Sequence, residues 1–406
     1  MSRSNDAGHF FQTSDSLATT ERKTVKAKNK HGKPIIFPSK ILAVHVDLLN
    51  NGAVLVAEAA AQIKRVHLEV CKGYLSMQWY PYADGHQSGK KDLLPLEATA
   101  PLTSIAISRK PNCIFAACWD KSIYGSASSA PSSSGQKRFT GHTDFVKCLL
   151  STTLSGKPVL ISGSADACII VWDIETGNVL HKLKGHTKSV QDLAVDPLCV
   201  PEGAIEPADS LVLFSASSDR EIRRWHVSID SAHELPESLE KPILAHETSV
   251  YKLCFDSEGD LWTASADKTA KHLVRSRDWE ADTVLQHPDF VRDVVVAENL
   301  GLVVTACRDE EVRVWDLASS NLVCTYSGHY EEVTGLVLMG KTVVSVSIDG
   351  TVRQWSLEKR EMLRYQEELK KLENDEAQMV DVKKAKPSMM TAEEEAELAE
   401  LMDDDD

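Results

Sequence analysis

No run of about 18 apolar residues occurs in the chain, which excludes a membrane-spanning helix. The first 20 residues are polar and lack the apolar core of a secretory signal, so export is not expected. No paired Cys-x-x-Cys spacing is present. The nine cysteines, Cys71, Cys113, Cys118, Cys148, Cys168, Cys199, Cys254, Cys307 and Cys324, are odd in number and scattered through apolar runs. They read as buried thiols in a reducing compartment, neither a disulfide framework nor structural zinc. A phosphate-binding glycine loop, a His-Glu-x-x-His pair and a Gly-x-Ser-x-Gly elbow are all missing. No residue set suited to catalysis stands out, and neither a cofactor nor a metal is expected.

Basic charge is scarce, with 45 Lys and Arg against 60 Asp and Glu for a net −15. The imbalance is local. Residues 1–40 carry a net +5, residues 391–406 a net −9, and residues 41–356 a net −11. An acidic body disfavours nucleic acid at long range, so direct contact with it is not expected. The two ends read as tails on a globular centre. With 42% of its 406 residues apolar, the chain has ample material for a core. Its length suggests two or three domains, although an all-β architecture can run this long as one.

The centre repeats. VLISGSADACIIVWD from 159, VLFSASSDREIRRWH from 212 and DLWTASADKTAKHLV from 260 share one plan with LVVTACRDEEVRVWD from 302 and TVVSVSIDGTVRQWS from 342. Each is an alternating run, a tight turn holding an Asp, and a second alternating run: a β-hairpin. The turn aspartates Asp166, Asp219, Asp267, Asp309 and Asp349 are spaced by 53, 48, 42 and 40 residues. Asp120 lies 46 residues before Asp166 in the same slot, and an earlier unit has Ala60 there, which makes seven units. Each of the last five hairpins follows a histidine: His142, His186, His246, His287 or His329.

With its Gly-His, turn-Asp and Trp-Asp marks, the stretch 23–356 resembles the WD-repeat family. By residue pattern, a C-terminal helical and acidic tail follows this stretch. The resemblance implies an all-β fold, a seven-bladed β-propeller with four antiparallel strands per blade. One such sheet has two faces and two edges to cover, so stacking in a ring is the stable solution. The resemblance also implies a hydrogen-bonded chain within a blade. Its members here are His142–Ser162–Asp166–Trp172, His186–Ser215–Asp219–Trp225, His287–Thr305–Asp309–Trp315 and His329–Ser345–Asp349–Trp355. In the blade of His246, Thr263 and Asp267, Leu273 replaces the Trp and cuts the chain short. The second blade, with Ala116 and Ser126 at these positions, and the first, with Ala60 and Val66, are expected to rely on packing alone.

After Trp355 the pattern turns helical, so the missing outer strand is expected from Thr24–Phe37, before an inner strand at Ile41–Leu48. Long insertions are expected at 81–98, at Ser126–Gly135 and at 199–209. The expected organisation is a disordered arm 1–22, the propeller 23–356, an amphipathic helix 357–376 and an acidic tail 377–406, largely disordered with a short helix. The helix carries Met362, Tyr365, Leu369 and Leu372 on one stripe. In the tail, Thr391–Glu394 is a capping-box pattern that opens the short helix Glu393–Met402 among acids. Such an acidic-hydrophobic segment is suited to folding against a basic protein.

In propellers of this kind, two positions per blade edge the narrow face. One directly precedes the turn Asp: Trp119, Ala165, Ser218, Ala266, Arg308 and Ile348. The other precedes the first apolar residue of the inner strand: Phe145, Ser189, Ser249, Phe290 and Glu332. Trp119 with Phe145 on adjacent blades, and Phe290 with Arg308 within one blade, are the candidate anchors for a protein partner. Three functions remain. A non-enzymatic scaffold of a multiprotein complex, cytoplasmic or nuclear, fits best. A ubiquitin-system adaptor is disfavoured because Trp172-Asp173-Ile174-Glu175 and Trp315-Asp316-Leu317-Ala318 lack the Arg of cullin-ligase receptors. A non-catalytic subunit of an RNA-modifying or ribosome-assembly complex is the third.

Overall fold

The computed structural model describes residues 14–68, 91–94, 96–127, 136–199 and 209–384. The chain divides into two units, residues 1–357 and 358–406. The first is a seven-bladed β-propeller, and each blade is a four-stranded antiparallel sheet. Blades one to six are consecutive in the chain, over 41–93, 102–140, 146–184, 190–234, 250–286 and 291–327. Blade seven takes three strands from 333–356 and its outer strand from Ile35–Ile36, which pairs with Thr351 and Val352.

Closure is therefore made by residues from both ends of the ring, as expected, but within narrower limits. Only Ile35–Ile36 of the expected segment is strand, and Thr24–Ala27 belongs instead to a helix, Ser14–Ala27. Pro34 and Pro38 bracket the strand and carry no N–H to extend the ladder. The Phe37 amide donates to the Gly350 carbonyl at 2.7 Å, and the Gln354 amide to Gly32 at 2.8 Å. Gly350 has φ +75°, and a Cβ there would stand 3.0 Å from the Phe37 carbonyl oxygen, so the clasp requires glycine.

The helix corrects the expectation of a disordered arm over 1–22 for residues 14–22; residues 1–13 lie outside those described. A 14-residue helix is marginal alone. This one is held by ion pairs to acidic residues 284 to 308 positions away, a contact that local sequence does not announce. Within the expected insertion 81–98, Lys91–Leu93 is the outer strand of blade one, because its backbone completes an otherwise bare sheet edge against Lys64–Val66. Ser126 and Ala127, placed in the second insertion, end the strand Ser122–Ala127. Most of the three insertions lies outside the described residues.

All seven inner strands carry the same irregularity. The register slips by one residue at Leu42, Thr103, Lys147, Gln191, Tyr251, Arg292 and Thr334. A bulge of this kind leaves one residue unpaired and re-aims its side chain. Every hairpin turn also holds one residue in the left-handed region: Ala61, Lys121, Ala167, Arg220, Lys268, Glu310 or Gly350.

The core lies between blades. Trp172 packs with Phe115, Phe139 and Ile170, while Trp225 packs with Ile161, Val171 and Leu213, so each Trp seals its blade to the preceding one. Burying a large apolar side chain contributes about 1.5–3 kcal/mol. Polar clamps reinforce alternate seams. Ser104 accepts the Leu149 amide at 3.2 Å, Asp192 that of Leu253 at 2.9 Å and Asp293 that of Leu336 at 2.7 Å. Burial pushes the Asp293 carboxyl up to about 6, against the nearby positive charge of Lys252.

In the second unit a helix runs over Lys359–Lys384, eight residues beyond the expected end at 376. No proline interrupts the pattern before Pro387, and Ala377, Gln378 and Met379 are good helix formers. The tail helix expected at Glu393–Met402 lies outside the described residues.

Candidate protein-interaction surface

One face of the ring is built from the hairpin turns and from the connections that lead into each inner strand. The two sets of edge positions expected from the repeat meet there through backbone hydrogen bonds. The Ala165 amide donates to Phe145 at 2.8 Å, Ser218 to Ser189 at 2.9 Å and Ala266 to Ser249 at 3.0 Å. Arg308 donates to Phe290 at 2.8 Å and Ile348 to Glu332 at 3.2 Å. Each blade thus presents one locked pair of side chains.

Three of the four complete tetrads have the implied wiring. In blade three, His142 Nε2 lies 2.8 Å from Ser162 Oγ, its Nδ1 lies 3.0 Å from Asp166, and Trp172 Nε1 donates to Ser162 Oγ at 2.8 Å. Burial alone would raise the Asp166 carboxyl. Hydrogen bonds from His142 and the Thr143 amide outweigh it and hold the group well below the usual range. Blades four and seven repeat this through His186, Ser215, Asp219 and Trp225, and through His329, Ser345, Asp349 and Trp355. In blade five, His246 bridges Thr263 and Asp267, each at 2.8 Å, and Leu273 ends the chain as expected.

Blade six departs from the implied tetrad. His287 Nε2 reaches Thr305 at 2.8 Å and Trp315 donates to Thr305 at 2.9 Å, but His287 Nδ1 lies 3.1 Å from the Leu285 carbonyl. Asp309 is held instead by Arg313, with Nη2 at 2.5 Å. Arg223 and Arg353 stand at the same position in blades four and seven, four residues after the turn Asp, but the first pairs with Glu221 and Glu234 and the second donates to the His31 carbonyl. Blade six also has Pro288 after its histidine, with no N–H to give the Asp where Thr143, Thr187 and Tyr330 donate theirs. Burial, with the Arg313 charge beside it, lowers the His287 imidazole to about 4.

Blades one and two do not rely on packing alone. Asp120 accepts from Tyr124 Oη, from Thr99 Oγ1 at 2.9 Å and from the Ser122 amide at 3.0 Å. In blade one, Arg65 meets the buried Asp47 at 2.5 Å and Lys64 meets the buried Glu58 at 2.5 Å. Each finds a polar partner outside the tetrad positions.

Of the candidate anchors, Trp119 and Phe145 stack across the seam of blades two and three, with ring centroids 5.4 Å apart and planes at 19°. Each is 39% exposed. The Arg308 guanidinium lies over the Phe290 ring at 5.1 Å, with Asp289 4.0 Å away. Ile348 is half-buried. Glu332 pairs with Arg292, whose guanidinium lies 4.4 Å from the Tyr251 ring centroid. The bulge residues Lys147, Gln191, Tyr251 and Arg292 were missed by sequence reasoning. Their signal was positional: each directly follows the first apolar residue of an inner strand.

Two groupings bring histidine and carboxylates together: His186 with Asp219 and Glu221, and Asp256 with Asp260 and His272. In the first, both ring nitrogens of His186 are engaged, by Asp219 and Ser215. In the second, His272 faces Asp256 at 3.1 Å and Asp282 at 2.8 Å. Burial opposes protonation there, yet the two carboxylates raise the imidazole above its usual value. Both ring nitrogens of His272 are thus engaged by carboxylates. Both groupings act as internal hydrogen-bond networks.

A ring of antiparallel blades carrying a repeated His–Ser/Thr–Asp–Trp chain defines a β-propeller of the WD class. The family model "WD domain, G-beta repeat" matches residues 134–173, 177–226, 238–272, 280–316 and 320–356. An uncharacterised WD repeat-containing protein of Schizosaccharomyces pombe is 32% identical over 99% of this chain and 100% of its own length. The chain belongs to the WD-repeat family. Shorter matches include Pre-mRNA-processing factor 19 of Mus musculus, 28% identical over 44% of this chain and 32% of its own length. Nuclear distribution protein nudF of Aspergillus niger is 28% identical over 48% and 41%. Both alignments span under half of those relatives. The solved WD40 β-propeller domain of Doa1 superposes with a TM-score of 0.60 at 20% identity, over 80% of this chain and 95% of that one, a likeness of fold. No helix among the described residues is long and apolar enough to cross a membrane.

Proposed function

We propose that the protein is a non-enzymatic scaffold, cytoplasmic or nuclear, that assembles a multiprotein complex through the narrow face of its propeller. The observation that carries this reading is the Trp119–Phe145 pair, two large aromatic rings stacked across neighbouring blades and each 39% exposed. Their backbones are held by the Trp119 amide on Pro101 at 3.1 Å and by the Ala165 amide on Phe145 at 2.8 Å. A preorganised aromatic platform loses little side-chain freedom on binding, and Trp is the residue most enriched at interface hot spots. The names of two partial relatives speak of pre-mRNA processing and of nuclear distribution, both of which are settings for assembly.

The test is affinity purification of the tagged chain with mass spectrometry, comparing wild type with Trp119→Ala/Phe145→Ala. Circular dichroism verifies the fold of the variant. A stoichiometric complex that survives in wild type and disappears in the variant supports the scaffold reading, and the lost subunit identifies the pathway. A complex that survives the double substitution sinks the assignment of the platform, and if its subunits are ubiquitin-ligase components the adaptor reading replaces it.

A further inference from the structure

The helix Ser14–Ala27 adds no strand to the ring, yet it is tied to blades six and seven by four ion pairs. Arg22 meets Glu310 at 2.8 Å, Lys26 meets Glu310 at 2.9 Å and Glu311 at 2.8 Å, and Lys23 meets Glu331 at 2.6 Å. Val25 of this helix is 65% exposed. Arg22 is 58% exposed and Lys23 32%, so their pairs are screened by salt, while Lys26 is 18% exposed.

The acidic side is built differently. Glu310 occupies the left-handed position of its hairpin turn, where no other blade has an acid, and it is buried. Burial raises the Glu311 carboxyl above its usual range, against the charge of Lys26. One Glu311 oxygen, Oε2, is buried with no hydrogen-bond partner among the described residues. Buried and half-buried carboxylates without a cation are costly, so this edge of the ring needs a basic partner.

We propose that Glu310, Glu311 and Glu331 form a socket for a helix bearing basic residues at positions i, i+1 and i+4, supplied by a partner polypeptide. The chain's own helix, with Arg22, Lys23 and Lys26 at that spacing, is the displaceable occupant that a partner helix replaces. The socket lies on blades six and seven, whereas the aromatic platform lies on blades two and three, so either assignment can fail without the other.

The probe is a fluorescent peptide of residues 14–28, followed by anisotropy against the full-length chain. Full-length protein with Arg22→Glu, Lys23→Glu and Lys26→Glu, its own helix expelled by charge, binds the peptide at least about tenfold more tightly than wild type, and less tightly as salt is raised. Adding Glu310→Gln, Glu311→Gln and Glu331→Gln abolishes that binding. If the charge reversal perturbs the circular dichroism of the ring, Thr24→Pro breaks the helix while leaving every charge in place, and the same gain is expected. The proposal is overturned if a folded variant with its helix expelled or broken takes up no more peptide than wild type, or if binding persists without the three glutamates.

Discussion

Blades three and six carry His, a hydroxyl residue, Asp and Trp at the same four positions, yet they are wired differently. In blade three Asp166 closes the chain on His142; in blade six Asp309 turns to Arg313 and leaves His287 on a backbone carbonyl. Blade six has Pro288 after its histidine, without the N–H that Thr143 gives Asp166. The residue four positions after the turn Asp does not decide alone, since Arg223 of blade four stands where Arg313 does but pairs with Glu221 and Glu234. Blade two extends the point, since Tyr124 at that position donates to Asp120. A repeat motif fixes which groups are brought near one another, while neighbouring residues decide which of them bond.

The largest expected effect separates the two blades by stability. Asp309→Ala strands a buried guanidinium and should cost about 3–5 kcal/mol, whereas Asp166→Ala leaves a histidine without its partner and should cost about 1–3 kcal/mol. Urea unfolding of the two variants measures this, and equal losses would break the comparison. Second in size is a pH effect. The His287 imidazole sits at about 4 in the fold, against about 6.5 in an unfolded chain. The unfolded chain binds the extra proton between those values, so stability is lost as pH falls from about 6.5 towards 4, by on the order of 3 kcal/mol in all. Asp166, depressed in the fold, acts with the same sign at lower pH, its contribution present above its ordinary value of 3.8 and lost as pH falls below it. Denaturation midpoints across this range should decline less steeply for His287→Gln than for wild type; parallel curves would remove His287 as the cause. The smallest effect is the sharpest test. Arg313→Ile should free Asp309 for His287, although Pro288 still withholds the amide, and should change stability by no more than about 1.5 kcal/mol. It should also raise the His287 pKa in an NMR titration, and an unmoved imidazole would mean that burial alone sets it.

The blades were legible because each hairpin repeats its turn Asp and its alternation, and because a lone sheet cannot cover its own faces and edges. The backbone pairings Ala165–Phe145 and Arg308–Phe290 were legible for the same reason: these residues stand at fixed offsets from the repeat. What escaped depends on partners distant in sequence or on atypical substitutes. Thr99 and Tyr124 serve Asp120 without any tetrad signature, and Arg65 reaches Asp47 across blade one. The helix Ser14–Ala27 owes its place to Glu310, Glu311 and Glu331, which nothing in residues 14–27 reveals.

The clasp between Ile35–Ile36 and Thr351–Val352 also sets an order of events during synthesis. A nascent chain emerges with the closing strand first and the edge it must join last, so that strand waits while six blades are made. An unpaired strand edge is a hazard for cross-pairing between nascent chains. Two residues flanked by prolines offer a very short template to a wrong neighbour, and the ring can still be locked when its final hairpin arrives.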